Sequence, residues 1–313
     1  MSPITYQVRH RTTYRYDAPV SASYGQLHLL PRDTTRQRVR SAGITFEPAV
    51  ADYREREDFF GNRAGYFALH EPHQTLIVEA RSVVTLLPNR PPPAPGPAWE
   101  QVRDALVEPR AQEALQVAPF VLASPRVPRC AEVAAYVAPS FSAGRPVLDA
   151  IEELTHRIHA DFSFVPGATT VTSTLAEVMA ARHGVCQDFA HVAVGCVRAC
   201  GLAARYVSGY LETDPPPGRD KLVGADASHA WAEVWLGNEH GWLGIDPTNA
   251  SLTLDRHIVT AWGRDYDDVA PLTGVIQSPG SATTLSVSVD VTRVQDEEPP
   301  DASAANSRRD TPK

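Results

Sequence analysis

The sequence predicts an α+β protein in which an antiparallel β domain precedes a mixed helix–strand core. Three observations predict it. Residues 4–16 alternate with period two, a proline-dense stretch follows at 88–97, and beyond it helical periodicity gives way to strand patterns. The chain has 313 residues, enough for about two domains, with 43% hydrophobic and 21% charged residues. That balance argues against wholesale disorder. A net charge of −8 argues against a dedicated nucleic-acid or anionic-membrane binder.

In the first segment Ile4, Tyr6, Val8, His10, Thr12, Tyr14 and Tyr16 share one face, and Thr5, Gln7, Arg9, Arg11, Thr13 and Arg15 share the other. Alternation of aromatic and β-branched residues with polar ones marks a half-buried strand. Strand-like runs follow at 25–30, 38–46, 64–69 and 75–87, with a turn signal at Phe60-Gly61-Asn62. Residues 1–88 therefore read as an antiparallel β domain. Residues 89–97, rich in proline, read as an extended linker. A core is expected over 98–280, a strand at 281–295 that could pack on the β domain, and a disordered tail at 296–313.

Within the core, 130–138 and 148–160 have helical spacing, the second through Leu148, Ile151, Leu154 and Ile158. Thr174-x-x-Glu177 is a capping-box pattern that starts a short helix ending near Gly184. A second helix is predicted from about Cys186 to Arg198 or Cys200, stopped by Gly201. Strands are predicted at 204–211, 228–236 and 241–246, the first two separated by a loop at 213–218.

Cys186 is the residue in this pattern best placed for chemistry. It follows Gly184-Val185, where Gly184 permits a tight turn, and it opens a helix. Helix starts present unpaired N–H groups and partial positive charge, which favour thiolate over thiol and can hold an oxyanion. A thiol nucleophile needs a base. His229 lies near the start of one strand, and Asp246 ends the next. If the connection 237–240 is a tight hairpin, paired residues sum to 477, which puts Asp246 opposite Trp231 and makes it a diagonal neighbour of His229. A single bulge would send the two to opposite faces.

The segments GVCQDFAHV, GLAARYVSGYL, DASHAWAEVWL and GWLGIDPTN, in that order, closely resemble the core of bacterial transglutaminase-like proteins, a group within the papain-like Cys-His-Asp superfamily. The strand-rich first region resembles the β domain that precedes this core in many bacterial members, and AWGRDYDDVAPLTG at 261–274 is typical of that subgroup. The resemblance implies a papain-like, transglutaminase-like cysteine-enzyme core. Cys186 would be the nucleophile, His229 the general base and then acid, and Asp246 the residue that orients His229. The implied reaction is attack on a carboxamide or peptide carbonyl through a thioester, completed by water or by an amine. A silent peptide-binding scaffold is the alternative from outside enzymology. Papain-type enzymes often place a glutamine six residues before the cysteine as a second oxyanion donor; that position is Ala180 here.

Gln187, Trp231 and Tyr210 are candidate substrate contacts, although aromatic residues on adjacent strands more often pack. Cys196 and Cys200 read as core residues and His191 as a satisfied buried histidine. Asp188 suits the first turn of its helix. His183, His191, Cys196 and Cys200 scatter around one helix without zinc spacing, and no calcium loop is present, so no metal or other cofactor is expected. With no export signal, no stretch apolar enough for a membrane span and four cysteines read as free thiols, a cytoplasmic protein acting on a peptide or protein amide is expected, with no nucleic-acid or membrane partner. Oligomeric state is left open.

Overall fold

The computed structural model describes residues 2–88, 96–107, 116–213, 227–278, 280 and 282–294. Most of the expected linker, the loop at 214–218 and the tail lie outside the described residues.

The β unit contains two four-stranded sheets. One has the order β15-β1-β6-β3 and the other β14-β2-β5-β4. The strands are β1 (Ile4–Val20), β2 (Ala22–Leu27), β3 (Gln37–Glu47), β4 (Asp52–Glu57), β5 (Arg63–Leu69) and β6 (His73–Leu86), joined late in the chain by β14 (Leu272–Gln277) and β15 (Thr283–Val294). Tyr16, Leu27, Leu29, Phe67, Leu69, Leu76 and Val78 are buried together in this unit. Strand β15 runs antiparallel to β1, with Val8 opposite Val291 and His10 opposite Val289. Because β14 pairs with β2, the chain re-enters the β unit at Leu272, ahead of residue 281. The expected turn forms at Gly61 (φ 73°), where the Asp58 carboxylate accepts the N–H groups of Phe60 and Asn62.

The core is built on a sheet with the order β12-β11-β10-β9-β13. These strands are β9 (Ala204–Leu211), β10 (Ala227–Trp235), β11 (Trp242–Asp246), β12 (Ser251–Leu252) and β13 (His257–Gly263). Ahead of them run α1 (Trp99–Val107), α2 (Ala131–Val137), α3 (Val147–Asp161), α4 (Leu175–Ala181) and α5 (Cys186–Ala199); α6 (Tyr266–Val269) follows. A two-residue strand, β7 (Ser163–Phe164), pairs in parallel with β8 (His183–Gly184), immediately before α5. Helix α5 is buried along nearly its whole length, Asp188, His191 and Arg198 included, and most of its residues are apolar, as an element enclosed on most sides requires. It shares a core with Ala204, Tyr206, Ala230, Ala232, Val234, Leu243 and Ile245 of the sheet. Among the described residues no helix is long and apolar enough to cross a membrane.

Strand β13 is an edge strand, and an exposed edge would leave backbone groups unpaired. Side-chain amides from the β unit supply the partners. Gln37 exchanges two hydrogen bonds with the backbone of Val259, at 2.8 and 2.9 Å. Asn62 does the same with Trp262, at 2.8 and 3.0 Å. Both amides are buried, so removing one leaves desolvated backbone groups without partners. Asn62→Ala is expected to lower stability by about 1–3 kcal/mol in a denaturant melt. A change within about 0.5 kcal/mol, the range of an ordinary surface substitution, would show that this edge contributes nothing.

Candidate active site

The start of α5 is fixed locally. Val185 is extended (φ −117°), and its N–H donates to the Asp188 carboxylate at 2.8 Å. The hydroxyl of Thr169 donates to the same carboxylate at 2.6 Å. Asp188 is thus consumed in capping the helix. Gly184 serves this cap rather than a tight turn: a Cβ there would lie 2.6–2.9 Å from Asp188 side-chain atoms. The residue in the left-handed region is Arg182 (φ 54°), which ends α4. The result is a half-buried Cys186 at the first helical position, where the N–H groups of Cys186 and Gln187 have no intrahelical acceptor.

The hairpin of β10 and β11 has the register that the sequence arithmetic requires, with Trp235 opposite Trp242 and Ala232 opposite Ile245. Continued by one position, it sets Asp246 opposite Trp231 and places His229 and Asp246 on one face. The Nε2–H of His229 donates to Asp246 Oδ2 at 2.8 Å. The Cys186 thiol also acts on this ring, raising its pKa by hydrogen bonding and by charge. Since Nε2 is engaged, Nδ1 is the nitrogen left for sulfur. Burial alone would lower the pKa of His229, but hydrogen bonds to Asp246 and Cys186 outweigh it and hold the ring well above its ordinary value. Burial likewise disfavours the charged Asp246, yet donation from His229 and His257 keeps that carboxyl far below the usual range.

Two residues not singled out in the sequence complete this anchor. His257 donates from Nε2 to Asp246 Oδ2 at 2.9 Å. Asn249 donates from Nδ2 to the same oxygen at 2.7 Å, and the N–H groups of Thr248 and Asn249 donate to Oδ1. Asn249 stands within the GWLGIDPTN motif, which offered a signal. His257 carried none, because it arrives from β13, on the far side of β9.

The structure brings Cys186, His229 and Asp246 together and places the other candidates as follows. Gln187 is half-buried beside Cys186 on the first turn. Trp231 is fully buried, its indole stacked on His229 (6.1 Å between centroids, 29°) and edge-on to His257 (5.1 Å). It therefore shields the imidazole instead of forming an open groove wall. Tyr210 is buried against the β unit, its hydroxyl donating to the carbonyl of Leu29 at 3.0 Å, so it is an interdomain residue and not a substrate contact. Ala180 lies inside α4 and offers no polar group in place of the glutamine.

His191 is buried, accepts the N–H of Tyr266 and is depressed to about 3, first by burial and then by Arg126. Cys196 is fully buried with its thiol pKa raised, and burial pushes the Cys200 thiol up to about 12. The ligand atoms of His229, Asp246 and His257 lie within 4.8 Å of one another, a His-Asp-His set able in principle to hold a metal. As arranged, Asp246 Oδ2 already receives both ring N–H groups, and a cation would have to displace those protons.

A family model for the bacterial transglutaminase-like N-terminal region matches residues 6–85, and one for the transglutaminase-like superfamily matches residues 135–247. A Mycobacterium tuberculosis protein is 46% identical over 297 residues, covering 91% of this chain and 92% of its own. A Mycobacterium leprae protein is 35% identical over 291 residues, covering 92% and 98%. A protein-glutamine gamma-glutamyltransferase of Pseudomonas aeruginosa is 36% identical over 93 residues, 29% of this chain and 14% of that one. Among solved structures, a candidate cysteine protease from Cytophaga hutchinsonii shares the fold with a TM-score of 0.74 at 18% identity, over 96% of this chain and 94% of that one. With its two domains and its Cys-His-Asp arrangement in place, the chain belongs to the bacterial transglutaminase-like family, in which a transglutaminase-like core follows a β-rich N-terminal region.

Proposed function

We propose that the protein hydrolyses an amide or peptide bond with Cys186 as nucleophile. The observation that carries this reading is the imidazole of His229, bonded to Asp246 at 2.8 Å and raised in pKa by both Asp246 and a cysteine at a helix start. With its pKa raised, His229 already holds the proton shed by the thiol, and the thiolate attacks the carbonyl carbon. The N–H groups of Cys186 and Gln187 face the developing oxyanion. The imidazolium then protonates the leaving nitrogen, the C–N bond breaks and a thioester remains. His229, neutral again, takes a proton from water, whose oxygen displaces the sulfur.

A second reading is transfer to an amine, favoured by the match to a gamma-glutamyltransferase. Mass spectrometry of products with an added primary amine separates the two: incorporation of the amine supports transfer, and addition of water alone supports hydrolysis.

An earlier test uses the four free cysteines. Iodoacetamide should alkylate Cys186 faster than Cys196 and Cys200 in the native protein, because burial holds the latter two as thiols. Rates are read by peptide mapping, and equal rates at Cys186 and Cys200 would remove the case for an activated sulfur.

A further inference from the structure

The β unit grips the chain on both sides of His257. Two residues before it, the carbonyl of Asp255 accepts from the hydroxyl of Tyr6, on β1, at 2.8 Å. Two residues after it, both backbone groups of Val259 are taken by the amide of Gln37, on β3. Between these points Ile258 is fully buried among Tyr6, Val8, Val84 and Leu86 of the β unit. Tyr6 and Gln37 are buried as well, and Gln37 Nε2 is steadied by the carbonyl of Arg32 at 2.7 Å. Three anchors within five residues fix the backbone from which the His257 side chain springs.

The His257 ring has little else to hold it. Its Nε2–H donates to Asp246 Oδ2 at 2.9 Å, and Nδ1 is buried without a partner. The edge-on contact with Trp231 limits the ring's space but sets no hydrogen-bond direction. Where Nε2 meets Asp246 is therefore decided by where β13 lies. The titratable and charged groups acting on this ring are Asp246, His229 and Asp255. Asp246 is also held by His229, by Asn249 and by the N–H of Thr248, all within 229–249. His257 adds a donor from outside that hairpin, carried by a strand that the β unit anchors. In a catalytic array a misplacement of about 1 Å can cost about 10²-fold in rate.

We propose that the β unit positions the catalytic base: Tyr6, Gln37 and the burial of Ile258 fix β13, and His257 transmits that position to the Asp246 carboxylate that orients His229. Tyr6, Gln37 and His257 are positioning residues and touch no reacting atom. The proposal rests on the amide-cleaving reading above, which makes His229 the base. It gives the N-terminal domain a task in the reaction besides stability.

The test follows the ring protons in the full-length protein. Its eleven histidines are ¹⁵N-labelled, and the two Nε2–H signals bonded to Asp246 are followed by NMR. His257→Gln assigns one of them by removing it. Gln37→Leu should move both signals upfield, as lengthened hydrogen bonds do. It should also shift the alkaline limb of Cys186 alkylation by iodoacetamide toward acid by about half a pH unit. In a His257→Leu background Gln37→Leu should shift that limb no further, because the link it acts through is gone. Asn62→Ala is the control: it loosens the same strand at Trp262, five residues past His257, and should leave both signals and the limb in place. The proposal is overturned if Gln37→Leu leaves the His229 signal and the limb unmoved, if Asn62→Ala moves them as far, or if Gln37→Leu shifts the limb equally with and without His257. Should Gln37→Leu fail to fold, Tyr6→Phe, which removes one hydroxyl, is judged by the same criteria. The NMR measurement needs no substrate, so a parent protein that shows both ring signals and cleaves no amide counts against the amide-cleaving reading alone.

Discussion

Cys186→Ala is expected to lower amide turnover by about 10⁴-fold or more, and to abolish any trapped thioester, while the protein melts at nearly its original temperature. Both halves follow from position. The sulfur is the only atom of the constellation that can form the covalent bond, so no neighbouring group substitutes for it. The side chain is half-buried and small, and the helix it opens is held by Asp188, Val185 and Thr169 rather than by Cys186. Turnover is measured as release of amine from an amide library and the fold by thermal melt. Cys196→Ala is the control: that residue lies wholly in the core, so it should cost stability and leave turnover per folded molecule unchanged. If Cys186→Ala retained activity within tenfold of the parent, the thiol mechanism would be wrong.

How much of this is legible in the sequence depends on whether the deciding interaction is local. The Cys186 helix can be read because its start and stop are local events: an extended Val185, a capping Asp188 and Gly201 at positive φ (78°). The hairpin register follows from arithmetic because Gly237 and Gly241, both at positive φ, close the connection without a bulge between the paired segments. Strand β4 escapes detection because its sequence, DYRERE, is exposed and charged along most of its length, which leaves no alternation to find. Tyr210 misleads for a different reason. An aromatic residue one strand away from His229 resembles a groove residue until the β unit is docked, and it is the carbonyl of Leu29 that claims its hydroxyl. His257 is invisible because its contact with Asp246 runs from β13 to β11, across both β9 and β10, and no local pattern in the sequence sets that distance.

Asp246→Asn should be nearly as damaging as loss of the sulfur, with a drop of about 10³–10⁴-fold in turnover, although the substitution changes hardly any volume. The parent carboxylate is wholly buried and accepts from two imidazoles, the Asn249 amide and two backbone N–H groups. An asparagine there must present an NH₂ to groups that are themselves donors, so at least one ring turns or changes tautomer. The pH consequence has a definite sign. Asp246 holds the His229 pKa above 6.5, so the proton on the ring persists as pH rises past that value. Without the negative charge His229 releases its proton at lower pH, and the alkaline limb of Cys186 alkylation should move toward acid. The stability linked to this raised pKa is full below the ordinary histidine value of 6.5 and is lost as pH rises through the folded value; the Asp246→Asn protein forfeits it. The carboxylate's own contribution, from a depressed pKa, is present above the ordinary Asp value and disappears only as pH falls through the folded one. The measurement is the iodoacetamide rate at Cys186 against pH in parent and Asp246→Asn proteins. An unmoved alkaline limb would mean that Asp246 positions the ring without holding its charge, and a turnover within tenfold of the parent would mean that it does neither.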